Sequence, residues 1–297
     1  MTATQRTDRV IAPSPSPART PSWPRQPIRP RRHREAVSGR IAAVLIVGII
    51  LLPLVPLVIH SFASRYVFPQ LVPAEWSTRA WRIVLAADGG TWKALGWSVA
   101  VATVVTALSL LVAVPAGRVL GLRSFRGRRI LEFLVLTPLL VPAVAVAIGL
   151  DITFIRLGLS GTFWGLVLVH LIPATPYAVL VLAGVFANYD ADFEAQARTL
   201  GAGPLSVFRH VTMPAIMPGL IVAGFFAFIV SWSQYVLTLQ IGGGKVLTLP
   251  VLLVSTASGG DVAITGALTI VFALPVVILL GVASRHVVRA GWGTTGT

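Results

Sequence analysis

The feature that most constrains this chain is a series of six apolar runs, each long enough to cross a bilayer. They cover residues 41–62, 95–116, 130–153, 163–187, 216–239 and 263–283. A helix rises about 1.5 Å per residue, so about 20 residues cross ~30 Å of hydrocarbon. The runs contain no arginine or lysine, as expected where each such charge costs about 2.5–3.5 kcal/mol. The sequence therefore predicts an all-α integral membrane protein with six transmembrane helices.

Charge is scarce and lies mainly outside these runs. Charged residues make up 11% of the chain, about half of the roughly 25% usual in soluble domains, so lipid must cover much of the surface. No basic stripe is interleaved with aromatic residues, as a nucleic-acid groove requires. Nucleic acid is therefore disfavoured as a partner despite the net charge of +14. Cysteine is absent, and we expect neither a metal nor a cofactor.

The basic residues also predict orientation and domain organisation. When the tail, second loop, fourth loop and C-terminus are assigned to one side, that side holds 18 of the 24 basic residues. Because basic residues favour the inside, both termini are predicted to lie in the cytoplasm, at a bacterial inner membrane. Residues 1–39, with seven prolines and eight arginines, predict a disordered tail. Residues 40–289 form the membrane domain, with its longest cytoplasmic loop at 188–214, and 290–297 form a short tail.

Prolines recur within the predicted spans and bend helices by removing a backbone hydrogen bond. They are Pro53, Pro56, Pro138, Pro142, Pro173, Pro176 and Pro275. Bent helices around a water-filled cavity are typical of transporters, but prolines are also common in membrane helices generally. Both interpretations remain open.

The fourth loop has a helical pattern of its own. Phe193, Ala197 and Leu200 have the spacing i, i+4, i+7, which predicts one apolar helix face. Gly201 is expected to end this helix, and Pro214 to end a second one before the fifth span. The apolar face must be covered either by the chain's own spans or by a separate protein.

This loop resembles the EAA loop of permease subunits in binding-protein-dependent ABC importers. The run from Phe193 to Gly201 reads Phe-Glu-Ala-Gln-Ala-Arg-Thr-Leu-Gly. After the glycine the register of the family pattern is kept, with Val211 ten, Met213 twelve and Pro214 thirteen residues later.

Upstream of the glycine the chain departs from the family pattern. Ala195 occupies the usual glutamate position, and Glu194 lies one place early. One residue corresponds to about 100° around a helix. Whether Glu194 takes the part of the family glutamate is therefore open.

The resemblance implies a MetI-like permease that forms half of a translocation pathway. Its loop would be a coupling helix seated on a cytoplasmic ABC ATPase dimer. The coupling residues that it implies are Phe193, Glu194, Ala195, Ala197, Leu200, Gly201, Phe208 and Pro214. It also implies a second permease subunit, the same or a homologous chain, and an extracytoplasmic solute-binding protein. The chain looks most like the branch that imports polyamines, thiamine, ferric iron or sulfate.

The chain itself carries no recognisable catalytic machinery. The glycines before Lys245 are not followed by the Ser or Thr of a phosphate loop, so ATP hydrolysis must reside in a partner. Five scattered histidines provide no catalytic pair. We therefore predict a transport subunit and not an enzyme. The alternatives are a secondary carrier or a structural membrane subunit without an ATPase.

Polar residues in the fifth predicted span are candidates for lining the pathway. Ser231, Gln234 and Tyr235 would share one helix face at i, i+3, i+4. Interhelical hydrogen bonding explains such residues equally well. His170, alone in the fourth span, is interpreted as a hydrogen-bonded structural residue.

Overall fold

The computed structural model describes residues 52, 54–64, 73, 75–88 and 90–291, with side chains as far as residue 283. Apart from one isolated β-bridge, the regular elements in these residues are helical. They are α1 (Leu54–Ser61), α2 (Arg79–Leu85), α3 (Thr91–Leu122), α4 (Arg128–Leu140), α5 (Ala143–Arg156), α6 (Phe163–Ala187), α7 (Asp192–Thr199), α8 (Pro204–Val207), a π-helical turn (Phe208–Thr212), α9 (Met213–Trp232), α10 (Val236–Gly242), α11 (Leu249–Ser258) and α12 (Val262–Gly291).

Five of the six predicted spans have a counterpart among these helices. Four described segments are each long and apolar enough to cross a membrane, namely α3, α6, Pro204–Trp232 and Val262–Ala283. The pair α4 and α5 meets the same criteria only when taken together, and it is bent by 92° at the break. The all-helical prediction is confirmed for the described residues. The predicted N-terminal tail and residues 41–51 of the first predicted span lie outside them.

The third predicted span is broken, and the break follows from Pro142. Val141 has φ −86° and ψ 127°, the extended conformation into which a residue before proline is pushed. Helix α4 therefore ends at Leu140, and α5 starts in a new direction after Pro142. The bend predicted from the prolines is present.

The fifth predicted span, 216–239, was wrong at its C-terminal end. Helix α9 ends at Trp232, and the chain turns through Ser233 and Gln234 before α10 begins at Val236. Apolar residues continue on both sides of this break, so hydropathy alone does not reveal it. The predicted common helix face of the polar residues here is lost with the continuous helix.

At the start of α9, the expectation that Pro214 ends a separate helix was also wrong. The chain from Pro204 to Trp232 is continuously helical. In the π-helical turn the Met213 N–H donates to the carbonyl of Phe208, five residues back. Pro214 then lies in the first turn of α9, where a proline is tolerated.

Small residues bring α3, α6 and α9 together. A Cβ at Gly117 would lie 2.8 Å from Leu182 Cβ, and one at Gly121 would lie 2.5 Å from Phe186 Cβ. In membranes, glycines four residues apart allow helix backbones to approach closely. On α9, a Cβ at Gly219 would overlap Val185 of α6. These three helices therefore form the rigid centre of the bundle.

A second cluster joins the end of α9 to α12. The Trp232 ring stacks between Phe228 and Phe272, with both centroid separations at 5.6 Å. Its Nε1 donates to the carbonyl of Phe272 at 3.2 Å. Arg79 of α2 pairs with Asp261, the residue before α12, at 2.6 Å. Burial raises the pKa of Asp261, but the bond from Arg79 outweighs it, together with backbone donors, and the net pKa is lowered.

Candidate functional site

An apolar groove runs along the fourth loop, with a volume of about 590 Å³. Phe193, Ala197 and Leu200 of the α7 region line it together, which confirms their predicted common face. Phe193 is 57% exposed and Leu200 is 88% exposed. The groove is completed by Tyr189, Gln196, His210, Val211, Pro214 and Ala215.

Local sequence signals explain why the loop presents this face. The Asp192 N–H at the start of α7 donates to Asp190 Oδ1 at 2.9 Å. Gly201 has φ +87°, a left-handed conformation that glycine adopts without strain and that commonly ends helices. The Ala202 N–H then returns to the carbonyl of Ala197 at 3.1 Å. The predicted helix end at Gly201 is confirmed.

Glu194 does not face the groove. Its side chain is only 5% exposed, and both carboxylate oxygens accept from the Arg118 guanidinium at 2.8 and 2.7 Å. Thr212 Oγ1 donates to Oε1 at 2.8 Å, and Arg198 lies 3.4 Å from Oε2. The hydrogen bonds from Arg118, opposed by burial and aided by Thr212, lower the pKa of Glu194 to about 2. The role of Glu194 as a coupling residue stays a prediction, and its carboxylate is bonded within the chain.

The remaining loop residues fall into two groups. Ala195 and Gly201 are exposed but do not line the groove, and Phe208 is half-buried. The sequence did not single out Arg118 or Thr212, although these two residues hold the buried carboxylate.

A second concave feature lies where the two broken spans meet α6. It is a cavity of about 430 Å³. Its polar side chains are Tyr177, Ser233 and Gln234. Three of the predicted bending prolines also line it, namely Pro138, Pro142 and Pro173, with the apolar residues Leu139, Val141, Ala143, Val146, Ile172, Val230 and Leu237.

Of the three polar residues predicted in the fifth span, Gln234 lines this cavity. Ser231 is buried, and its Oγ lies 3.0 Å from His170 Nδ1. Tyr235 is half-buried and is absent from the lining. Tyr177 was missed because a lone tyrosine in an apolar run carries no periodic signal. Ser233 was left out because it does not share the predicted i, i+3, i+4 face of Ser231, Gln234 and Tyr235.

His170 is a fully bonded structural residue, as predicted. Its Nε2 lies 2.9 Å from Thr238 Oγ1, which donates to the carbonyl of Gln234 at 2.8 Å. Nε2 therefore carries the proton and donates to Thr238, while Nδ1 accepts from Ser231. Among the described residues, no three histidine, aspartate or glutamate side chains gather as a metal site requires.

Comparisons with known proteins agree with this architecture. The family model described as "Binding-protein-dependent transport system inner membrane component" matches residues 113–290. The putrescine transport system permease protein PotI of Escherichia coli K12 is 31% identical over 229 residues, covering 73% of this chain and 79% of PotI. The putative 2-aminoethylphosphonate transport system permease protein PhnV of Salmonella paratyphi A is 27% identical over 258 residues, covering 86% of this chain and 96% of PhnV.

The fold is also that of solved importers. The crystal structure of a bacterial ABC transporter that imports the acidic polysaccharide alginate includes a chain with a TM-score of 0.64 and 20% identity. The match covers 90% of this chain and 99% of that one. The family match spans more than half of the chain, and PotI exceeds 30% identity. The chain therefore belongs to the binding-protein-dependent transport system inner membrane component family, the multi-pass inner-membrane permease subunits of bacterial ABC importers.

Proposed function

We propose that this permease forms half of an import channel with six spans and cytoplasmic termini. In this arrangement a second permease subunit, the same or a homologous chain, supplies the other half. Permeases of this family work with an ATPase and a solute-binding protein. ATP-driven closure of the ATPase dimer would displace the coupling helix α7 and reorient the spans.

The observation that carries this proposal is the exposed groove at α7. Exposed large apolar side chains that share one groove mark a site for another protein when they lie outside the lipid. Burial of a leucine or phenylalanine side chain contributes about 1.5–3 kcal/mol. Burying Phe193 and Leu200 in a cleft of the ATPase would therefore stabilise the complex by about twice this amount.

The cavity supports passage of a small polar solute. Tyr177, Ser233 and Gln234 offer hydroxyl and amide groups at a point where two helices are interrupted. In membranes, interrupted helices are tolerated where they line a cavity. We propose a solute of the polyamine, thiamine, ferric iron or sulfate type. PotI and PhnV are named for putrescine and 2-aminoethylphosphonate, so both compounds belong in the test panel.

Co-purification tests the coupling surface. We expect Leu200→Asp to remove the ATPase from the permease isolated in mild detergent, because a carboxylate cannot be desolvated in an apolar cleft without a partner. The matched control is Phe125→Asp, since Phe125 is also exposed, at 39%, in the loop between α3 and α4. Retention of the ATPase by Leu200→Asp, or equal loss in both variants, would contradict the proposal.

Uptake by intact cells tests the solute. We expect deletion of the gene to abolish uptake of one radiolabelled compound from the panel, and the unchanged chain to restore it. Gln234→Ala should restore less uptake than wild type at equal expression. Full restoration by this variant would remove Gln234 from the pathway.

A further inference from the structure

Glu194 is the buried acid of an otherwise exposed helix. Asp192, Phe193, Ala195 and Gln196 around it are exposed, whereas the Glu194 side chain is 5% exposed. Its carboxylate accepts two parallel bonds from Arg118 and one from Thr212. Its strong acceptor positions are therefore occupied within the chain.

Arg118 belongs to the most rigid part of the bundle. It lies on α3 between Gly117 and Gly121, where the backbone of α3 packs directly on α6. Its guanidinium carbon also lies 6.0 Å from the ring centroid of Phe186 on α6. The position of the guanidinium is thus determined by the α3–α6 pair.

Thr212 connects the same carboxylate to α9. It is 1% exposed and ends the π-helical turn that leads into that helix. Single π-helical turns interrupt regular helices and are frequent at functional sites. The Glu194 carboxylate of α7 is therefore bonded both to α3 and to the residue that precedes α9. Its partner on α3, Arg118, is 76 positions away in sequence.

We infer that Glu194 is a positioning residue that ties the coupling helix to α3 and α9, and that it makes no contact with the ATPase. The inference rests on the proposed coupling function of α7. A bidentate arginine–carboxylate pair fixes orientation as well as distance. Because separating the pair would leave the buried Glu194 carboxylate without its main counter-charge, the pair stays intact when α7 moves. Displacement of α7 is then transmitted to α3 and α9. Helix α9 lines the cavity directly, and α3 packs against α6, which also lines it.

The labelling rate of a thiol in the cavity measures whether movement of α7 reaches the cavity. The experiment does not require the solute to be known. The chain has no cysteine, so Ser233→Cys introduces a unique thiol into this subunit. The complete importer carrying this substitution is placed in proteoliposomes and treated with a membrane-impermeant maleimide from the extracytoplasmic side. We expect ATP with vanadate to change the labelling rate by about 5-fold or more.

In the same background, Glu194→Gln should reduce this response to less than about 2-fold, below the range typical of coupled sites. The amount of ATPase that co-purifies should be unchanged. The control is Glu132→Gln, because Glu132 also pairs with an arginine, Arg128, at 2.8 Å, but within one helix and at 38% exposure. It should leave the labelling response intact.

Two further variants separate transmission from misfolding. Arg118→Lys keeps the charge but not the bidentate geometry, so it should fold and lose a large part of the response. Exchanging the two charges, Arg118→Glu with Glu194→Arg, should recover part of what Glu194→Gln loses. A purely structural role predicts no recovery of the response and loss of folded complex in the single variants.

Three further outcomes would contradict either the inference on Glu194 or the proposed function. An undiminished labelling response in both Glu194→Gln and Arg118→Lys would overturn the inference. Loss of the ATPase from Glu194→Gln, with Arg118→Lys unaffected, would identify Glu194 as a docking contact and also overturn it. If the parent Ser233→Cys importer binds no ATPase, the proposed function fails first, and this result is distinguishable from both others.

Discussion

Replacing Gly121 by alanine tests the packing that fixes α3 against α6. A Cβ at this position would lie 2.5 Å from Phe186 Cβ and 2.7 Å from the carbonyl oxygen of Ala183. Ordinary contacts begin at 3.4 Å, so the two helices would have to separate by about 0.9 Å (3.4 minus 2.5). A backbone carbonyl cannot rotate away as a flexible side chain can. Overpacking of this kind costs about 1–3 kcal/mol.

A helical alanine offsets part of this cost, because it is favoured over glycine by at most about 1 kcal/mol. We therefore expect Gly121→Ala to lower the free energy of unfolding by up to about 2 kcal/mol, the difference between these two terms. The same substitution at Gly96 should be neutral or stabilising. Gly96 is exposed on the same helix, and a Cβ there would meet nothing within 4 Å.

The assay is an SDS titration of the purified chain, followed by the fluorescence of its eight tryptophans. Gly117→Ala should fall between the other two variants, because its closest contact is 2.8 Å. If Gly121→Ala is as stable as Gly96→Ala, α3 and α6 do not pack at this distance. In that case Arg118 would not be held by a closely packed helix pair.

Three other predictions concern polar groups. Arg118 lowers the pKa of Glu194 from an ordinary 4.5 to about 2, so the ionised carboxylate stabilises the fold above pH 4.5, and this contribution, about 3 kcal/mol, is lost as the pH falls towards 2. Glu194→Gln should flatten the acid part of the SDS-stability profile, and equal profiles for variant and wild type would contradict this. His170→Phe leaves two buried hydroxyl groups without their partner and should cost about 1–3 kcal/mol in the same titration; an unchanged midpoint would refute it. Arg79→Ala should cost less than about 1 kcal/mol, because its pair with Asp261 is 43% and 32% exposed, and a larger loss would show that the pair is better shielded than its exposure indicates.

Sequence reasoning worked best where one physical effect dominates. The cost of burying charge in lipid predicted the apolar runs within α3, α6 and α12, although α3 itself extends past Lys93 and Arg118 at its two ends. It failed where the chain turns at a polar stretch too short to interrupt an apolar run. The break after Trp232 lies between apolar segments, and a hydropathy pattern reads across it. The sharp bend at Pro142 was foreseeable, because the residue before a proline is driven out of the helical region.

The fourth loop shows the same contrast between what the sequence predicts and what it does not. Helical periodicity placed Phe193, Ala197 and Leu200 on one face, and the structure has them in one groove. Periodicity could not tell which way the acid beside them points. A shift of one position rotates a side chain by about 100°, so Glu194 leaves the groove face and reaches inward.

The partners of the Glu194 carboxylate cannot be predicted from a local sequence pattern, because they lie on other helices. In the sequence, Arg118 is one of several arginines from which orientation is predicted, and its partner Glu194 lies 76 residues away. Two features nevertheless point to it in retrospect, namely the glycines at 117 and 121 that flank it and the acid that is out of register at 194. An acid at position 195 would be rotated away from Arg118, so the pairing requires the displaced register. The departure from the family pattern therefore indicates a different contact, the pair of Glu194 with Arg118. The close packing of α3 on α6 at Gly117 and Gly121 holds Arg118 in place for this contact.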